Sequence, residues 1–308
     1  VRLHITPHLG GRKLSSLTKP AIEDFRDTLV NTRSRPMATR VLRSLSGIIA
    51  EAQRRGLVAQ NVCAGVTVRR SKREKPKIEI PTKAELGAII EAARAAGDPQ
   101  ALPLMLVTIF TGLRASELRG LGWPAVDLKG CTITVERRAD AKGILGPPKS
   151  AAGYRTLPLA PAAAAALREW KLRAPKNDLG LIFPAARKKP VSHAVLMKNL
   201  VGPIQVAAGV ATPIVDHDGQ PALDDKGQPR MAPRYALHAF RHAAASLWIE
   251  QRVSPKRIQT WLGHSSIQVT FDTYGHLFEQ AEADAAIMGA VELEVFGAAD
   301  ATPMQHGH

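Results

Sequence analysis

A chain of 308 residues, 45% of them hydrophobic, is long enough for two domains with separate cores. Its most apolar stretch, PLMLVTIF, falls far short of the about 20 residues that cross a membrane as a helix, and no hydrophobic leader opens the sequence. The net charge of +15 is uneven: residues 1–82 hold 17 Lys/Arg against 6 Asp/Glu, and residues 83–308 hold 25 against 21. That asymmetry points to an N-terminal module that meets a polyanion, although charge alone does not separate DNA from RNA or an anionic membrane. Two cysteines, Cys63 and Cys131, form neither a disulfide framework nor a zinc set, which fits a reducing cytoplasm.

The first domain, residues 1–70, reads as all helical. Thr18 before Pro20 is a cap and first-turn pairing, and Ile22, Phe25 and Leu29 recur at helical spacing. A second helix is predicted from Met37 to Arg55, with Val41, Leu45, Ile48 and Ile49 as its apolar stripe and Gly56 as its stop. Its other face carries Arg40, Arg43, Arg54 and Arg55, which can follow a phosphate backbone or simply stay solvated. Residues 71–81, with Arg69, Arg70, Lys72 and Arg73 at or beside their start, are basic and proline-punctuated and read as a linker able to lie along DNA.

A second domain, residues 82–290, opens on Thr82-Lys-Ala-Glu85, which has the form of a capping box. Helices are predicted near 83–96 and 99–110; Gly112 breaks the chain, and Arg114 begins another helix. CTITVER and YRTLPL read as two strands of one small antiparallel sheet. Further helices are expected at 161–173, 192–201, 236–251, 255–262, 266–273 and 278–290. Residues 215–233 are turn-rich and carry four aspartates. They lack the closing glutamate of a calcium loop, so an exposed hairpin or loop is expected. No internal repeat is apparent. The fold class is mainly α with a small antiparallel β-sheet.

The chemistry gathers in a few short stretches. Tyr274 and His264 lie in LGHSSIQVTFDTYGH, His238 and Arg241 in HAFRHAAAS, Arg114 and Glu117 in TGLRASEL, and Lys149 in PPKSAAGYRTLPL. Forming a phenolate at pH 7 costs about 4 kcal/mol, so an attacking tyrosine needs a proton acceptor or cations that stabilise the charge developing on a phosphorane. Arginine suits the second task because its planar fork binds two phosphate oxygens. His238 and Arg241 are three apart and share a helix face, and Glu117 can fix Arg114 through an ion pair. A mobile Lys149 can protonate a leaving alkoxide. Taken singly each residue has a plain structural reading. His238 and His242 at i, i+4 resemble a zinc pair, but HAFRH has no glutamate and its arginine repels a dication, so no metal or other cofactor is expected.

Together these four stretches, in this order, resemble the tyrosine recombinase (phage integrase) family. The resemblance covers residues 82–290 as a catalytic domain and 1–70 as a helical core-binding domain. It implies that Arg114 and Arg241 bind the phosphate, Lys149 is the general acid, His238 and His264 are the active-site histidines, Glu117 supports Arg114, and Tyr274 is the nucleophile. The implied reaction cuts and rejoins two DNA sites through a 3′-phosphotyrosyl intermediate and a Holliday junction. Its implied partners are double-stranded attachment sites, a homotetramer on DNA and an accessory directionality factor, in a bacterial cytoplasm.

This chain departs from the family pattern in three places. Ala239-Phe240 stands where Asp-Leu is commoner, the 215–233 loop is long, and the helical domain reads as N-terminally truncated. Residues 291–308 include VELEVF, which either packs on its own domain or docks on a neighbouring subunit. A type IB topoisomerase-like enzyme and a DNA-binding regulator without cleavage are the alternative readings.

Overall fold

The computed structural model describes residues 1–68, 79–185, 189–216 and 218–278. Arg69, Arg70, Lys72, Arg73, most of the linker, the expected helix at 278–290 beyond its first residue and the tail at 291–308 lie outside the described residues. The chain divides into two compact units, Val1–Lys77 and Ile78–His308.

In the first unit a short turn of helix, α1 (Thr6–Leu9), precedes α2 (Lys19–Thr32) and α3 (Arg35–Arg54). Thr18 caps α2, its hydroxyl accepting from the Ala21 N–H, with Pro20 inside the first turn. Ile22, Phe25 and Leu29 of α2 meet Ala38, Val41, Leu42, Leu45 and Ile49 of α3 in the core of this unit. Ile48 departs from the predicted stripe: it is 37% exposed, and Leu42 and Ala52 complete the buried face instead. Gly56, at φ +73°, follows the helix end in the left-handed conformation that favours glycine.

In the second unit the capping box at Thr82 forms in full, with Glu85 reaching back to the Thr82 N–H, and starts α4 (Lys83–Ala95). The helix that follows, α5 (Ala101–Thr111), is apolar on every side and buried along most of its length. Ala101, Leu104, Met105, Val107 and Ile109 are fully enclosed. Its two buried threonines return their hydroxyls to the carbonyls of Leu104 and Val107, so no polar group is stranded. Around α5 pack α4, α7 (Pro161–Arg173) and α10 (Leu237–Glu250). Gly112 ends α5 at φ +58°, and α6 (Ala115–Gly120) starts at once from Arg114.

The strands differ from the single sheet expected. Three antiparallel strands, β1 (Val126–Asp127), β2 (Thr132–Val135) and β5 (Arg155–Pro158), form one sheet in that order. A separate ladder, β3 (Arg138–Ala139) with β4 (Leu145–Gly146), fills the connection between β2 and β5. Ile133, Val135 and Leu157 face the core, while Thr134 and Thr156 pair outside through hydroxyls 3.0 Å apart. The helix expected at 192–201 continues to Ala207 as α8 (His193–Leu196), a π turn (Met197–Val201) and α9 (Gly202–Ala207). Pro203 has no N–H for the carbonyl four residues back, and the ladder widens there so that Gly202 N–H reaches Met197 O.

The turn-rich loop holds a repeat that the sequence reading missed. β6 (Ala211–Pro213) pairs with β7 (Met231–Pro233), and between them stand two copies of an eight-residue unit, VDHDGQPA and LDDKGQPR. In each copy the aspartate Oδ1, of Asp216 or Asp224, accepts from two backbone N–H groups across a turn. Three backbone bonds close the lobe as a ring: Ala222 donates to Ile214, Arg230 to Ala222 and Ile214 to Arg230. Val215, Leu223 and Met231, one unit apart, all point outward. After α10 come α11 (Pro255–Leu262) and α12 (Ile267–Phe278), both packed on α10.

Candidate active site

Three arginines converge where the C-terminal ends of α5 and α11 meet. Arg241, on α10, is 2% exposed and donates from Nη1 to Gly112 O at 2.7 Å and from Nη2 to Leu262 O at 2.5 Å. Arg114 donates from Nη2 to Gly263 O at 2.9 Å, and Arg155 from Nε to Trp261 O at 2.7 Å. Carbonyls at helix ends carry the negative pole of the helix and lack intrahelical partners, so guanidinium groups are well placed there. Gly263 makes this geometry possible. At φ +63° it ends α11, and a Cβ there would stand 2.8 Å from Ala152 O and 2.9 Å from Arg155 Nη1.

One carboxylate answers this charge. Glu117, 3% exposed, receives Arg114 Nη1 at 2.9 Å and Arg155 Nη2 at 2.8 Å, and its Oε2 also accepts the Arg114 backbone N–H. Burial pushes the Glu117 carboxyl up, but the hydrogen bond and charge of Arg155, with Arg114 behind it, hold it below the usual range. The ion pair expected between Glu117 and Arg114 is thus half of the arrangement. Arg155 is the other half, and its one signal in the sequence is its place on the inward face of YRTLPL, in step with Leu157 and Leu159. Three guanidinium groups with one carboxylate leave an excess of two positive charges. Burial first, and then the charge of Arg114, push the Arg241 guanidinium down to about 9. A site so charged favours an anion. Arg114 is the arginine placed to meet one, with 37% of its side chain exposed against 2% for Arg155.

The histidines ring this cluster. His264, half-buried after Gly263, holds Thr270 Oγ1 at 3.0 Å through Nδ1. Burial and the charges of Arg241 and Arg114 push it down to about 4. His238, at the exposed rim, is held below its usual value by partial burial and by Arg241 and Arg114. Tyr274 comes from α12 and is 2% exposed, its ring packed among Ala245, Ile249, Ile258 and Leu262. Burial pushes its phenol up to about 12, while the Arg241 charge acts in the opposite sense. Its oxygen lies 2.7 Å from Nδ1 of His242, a residue the sequence reading weighed only as half of a zinc pair. Among the described residues no group of three or more His, Cys, Asp or Glu side chains is placed to hold a metal ion.

Lys149 is exposed in the loop after β4, and no hydrogen bond among the described residues ties it to the arginines. In the first unit Arg40, Arg43, Arg54 and Arg55 are exposed along α3, and Arg54 and Arg55 share Glu51 as their ion-pair partner.

Comparison with known proteins shows the family and the fold. The prophage integrase IntR of Escherichia coli (strain K12) is 26% identical over 241 residues, which cover 75% of this chain and 55% of that protein. This chain therefore spans about half the length of that relative. The solved structure of the Tn1549 transposon integrase in complex with a circular intermediate DNA superposes with a TM-score of 0.70 at 17% identity, over 94% of this chain and 90% of that one. A lambda integrase tetramer bound to a Holliday junction gives a TM-score of 0.56 at 20% identity, over 85% and 68% of the two chains. Both share the fold. The model of the phage integrase family matches residues 82–281, the stretch that carries the arginine cluster and Tyr274, and the chain belongs to that family.

Proposed function

We propose that this protein is a site-specific tyrosine recombinase that cuts and rejoins double-stranded DNA. The observation that carries the reading is the buried excess of positive charge beside a tyrosine. Arg114 and Arg155 pair with the carboxylate of Glu117, the buried Arg241 guanidinium feels the charge of all three, and the Tyr274 phenol lies within reach of the Arg241 charge. A scissile phosphate supplies the missing negative charge, and the cluster gains more as the phosphorane forms, because charge then builds on the non-bridging oxygens.

The roles follow. The Tyr274 oxygen attacks phosphorus as its proton leaves to water, and the bond from phosphorus to the 5′-oxygen breaks, leaving a 3′-phosphotyrosine and a 5′-hydroxyl. Arg114 and Arg241 hold the non-bridging oxygens, with His238 and His264 as further donors at the rim. Lys149, on its exposed loop, supplies the proton to the leaving oxygen when DNA brings the loop in. Each step exchanges one phosphodiester for another, so the bond energy is conserved and religation is the same reaction reversed.

Arg40 and Arg43 on α3 follow the DNA backbone, and the basic stretch containing Arg69, Arg70, Lys72 and Arg73 extends that contact. Exchange between two duplexes needs four subunits, as in the lambda integrase tetramer bound to a Holliday junction. A directionality factor is a further expected partner.

The test is a nicked suicide substrate made from the ends of the protein's own element. The wild-type chain should form a protein–DNA adduct that survives denaturation and is destroyed by protease, and Tyr274→Phe should bind the same DNA and form none. An adduct undiminished in Tyr274→Phe would remove this residue as nucleophile. Specific DNA binding without any adduct from the wild type would favour the regulator reading.

A further inference from the structure

The second histidine of HAFRH has no role in the reaction as written above, yet among the described residues it makes the hydrogen bond that holds the nucleophile. His242 follows Arg241 on α10 and is 9% exposed; its Nδ1 lies 2.7 Å from Tyr274 Oη, and the two rings meet edge to face with centroids 5.6 Å apart. On its other side it meets His238, also edge to face, at 4.6 Å between centroids. Ala245, fully enclosed in the same cluster as Tyr274, is the small residue at the contact between α10 and α12.

Chemistry sets the direction of the bond. Burial and the neighbouring charges of His238 and Arg241 keep His242 neutral, pushed down to about 4, and the phenol is neutral as well. Between a neutral phenol and a neutral imidazole, the O–H is the stronger donor and the bare ring nitrogen the stronger acceptor. The ring of Tyr274 is fixed by apolar packing from α10 and α11, which sets where the ring lies. Packing does not set the hydroxyl's hydrogen, and His242 does.

Building on the proposed recombinase chemistry, we propose that His242 is a positioning residue for the nucleophile. Its Nδ1 accepts the Tyr274 hydrogen, and this bond fixes the phenol oxygen at the edge of the arginine cluster with its proton directed away from the phosphate side. A phenol so held presents an oxygen lone pair to phosphorus with no search over orientations. Small misplacements of a reacting atom cost on the order of a hundredfold in rate.

The experiment compares full-length wild type, His242→Asn and His242→Leu on the suicide substrate at saturating DNA. Asparagine can place an amide oxygen near the position of Nδ1, and leucine fills the space without an acceptor. His242→Leu should slow adduct formation at least tenfold while its DNA dissociation constant stays within twofold of wild type. His242→Asn should recover to within about threefold of wild type. In the wild-type protein, nitrogen-15 spectra of the His242 ring at pH 7 should show hydrogen on Nε2 and none on Nδ1.

Adduct formation by His242→Leu at the wild-type rate overturns the proposal. So does an asparagine variant as slow as the leucine one, which assigns the ring to packing alone. Hydrogen on Nδ1 overturns it as well, and this readout stands even where a variant does not fold. Failure of wild type itself to form an adduct would count against the recombinase reading instead, and the tautomer alone then decides the role of His242.

Discussion

Glu117 shows how much a single carboxylate settles in this protein. It is the only acidic side chain seen against the guanidinium groups of Arg114 and Arg155 among the described residues, and both it and Arg155 are almost fully buried. Replacing it with glutamine keeps the shape and removes the charge, leaving buried arginines without compensation. Breaking a buried pair from one side costs about 3–5 kcal/mol, so Glu117→Gln should lose stability of that order in urea unfolding. Because the defect is a missing negative charge, phosphate or sulfate should raise the midpoint of the variant more than that of wild type. Equal gains in the two proteins would show that the lost hydrogen-bond geometry, and not the charge, is at fault. Arg155 belongs to the same account: it turns a two-membered ion pair into a bridge between β5, α6 and the end of α11.

Helix ends, more than helix faces, make the site. The carbonyls that seat Arg241, Arg114 and Arg155 belong to the last two residues of α11 and to the glycines that end α5 and α11. Gly263 is the tighter of these two glycines. Gly263→Ala adds a left-handed alanine, worth about 1–2 kcal/mol by itself, and drives its Cβ against Ala152 O and Arg155 Nη1. Gly209, at φ +71° with open space around it, carries the conformational cost alone. Gly263→Ala should therefore destabilise clearly more than Gly209→Ala in the same urea titration. It should also lower adduct formation, which Gly209→Ala should leave unchanged. Equal effects of the two substitutions would mean that the Arg155 side chain gives way freely.

Across the whole molecule the cluster ties stability to pH. His242 and His264 both stand at about 4 in the folded chain, against the ordinary 6.5 of an unfolded histidine. Between those values the unfolded chain binds more protons, so stability rises with pH there. The contribution is fully present above pH 6.5 and is lost as pH falls toward 4. The two histidines together contribute on the order of several kcal/mol. Glu117 and Glu85, held below the usual carboxylate range, act in a lower window and add to the loss only as they protonate. The thermal midpoint should accordingly fall between pH 7 and pH 5, before carboxylates contribute much. A midpoint unchanged over that interval would refute the assignment of two neutral histidines. A bound phosphate should shrink the fall, because its charge favours the protonated imidazoles in the folded state.

What the sequence determined by itself is local. The cap at Thr18, the capping box at Thr82, the all-round apolar α5, the strands of YRTLPL and CTITVER and the helix 161–173 were all legible, because each is written in residues a few positions apart. The family motifs were legible for the same reason. The eight-residue repeat in 215–230 was equally local and went unread, its two copies sharing only an aspartate and a Gly-Gln-Pro run. Apart from the ion pair of Arg114 with Glu117, three residues apart, the pairings of the site were decided by tertiary structure. Arg114 reaches a carbonyl 149 residues away, Arg155 crosses to Glu117 over 38, and His242 meets Tyr274 over 32. Nothing in HAFRH says which histidine faces α12. That follows from the way α10 and α12 pack at Ala245, and from a burial that leaves the phenol a single side-chain partner among the described residues.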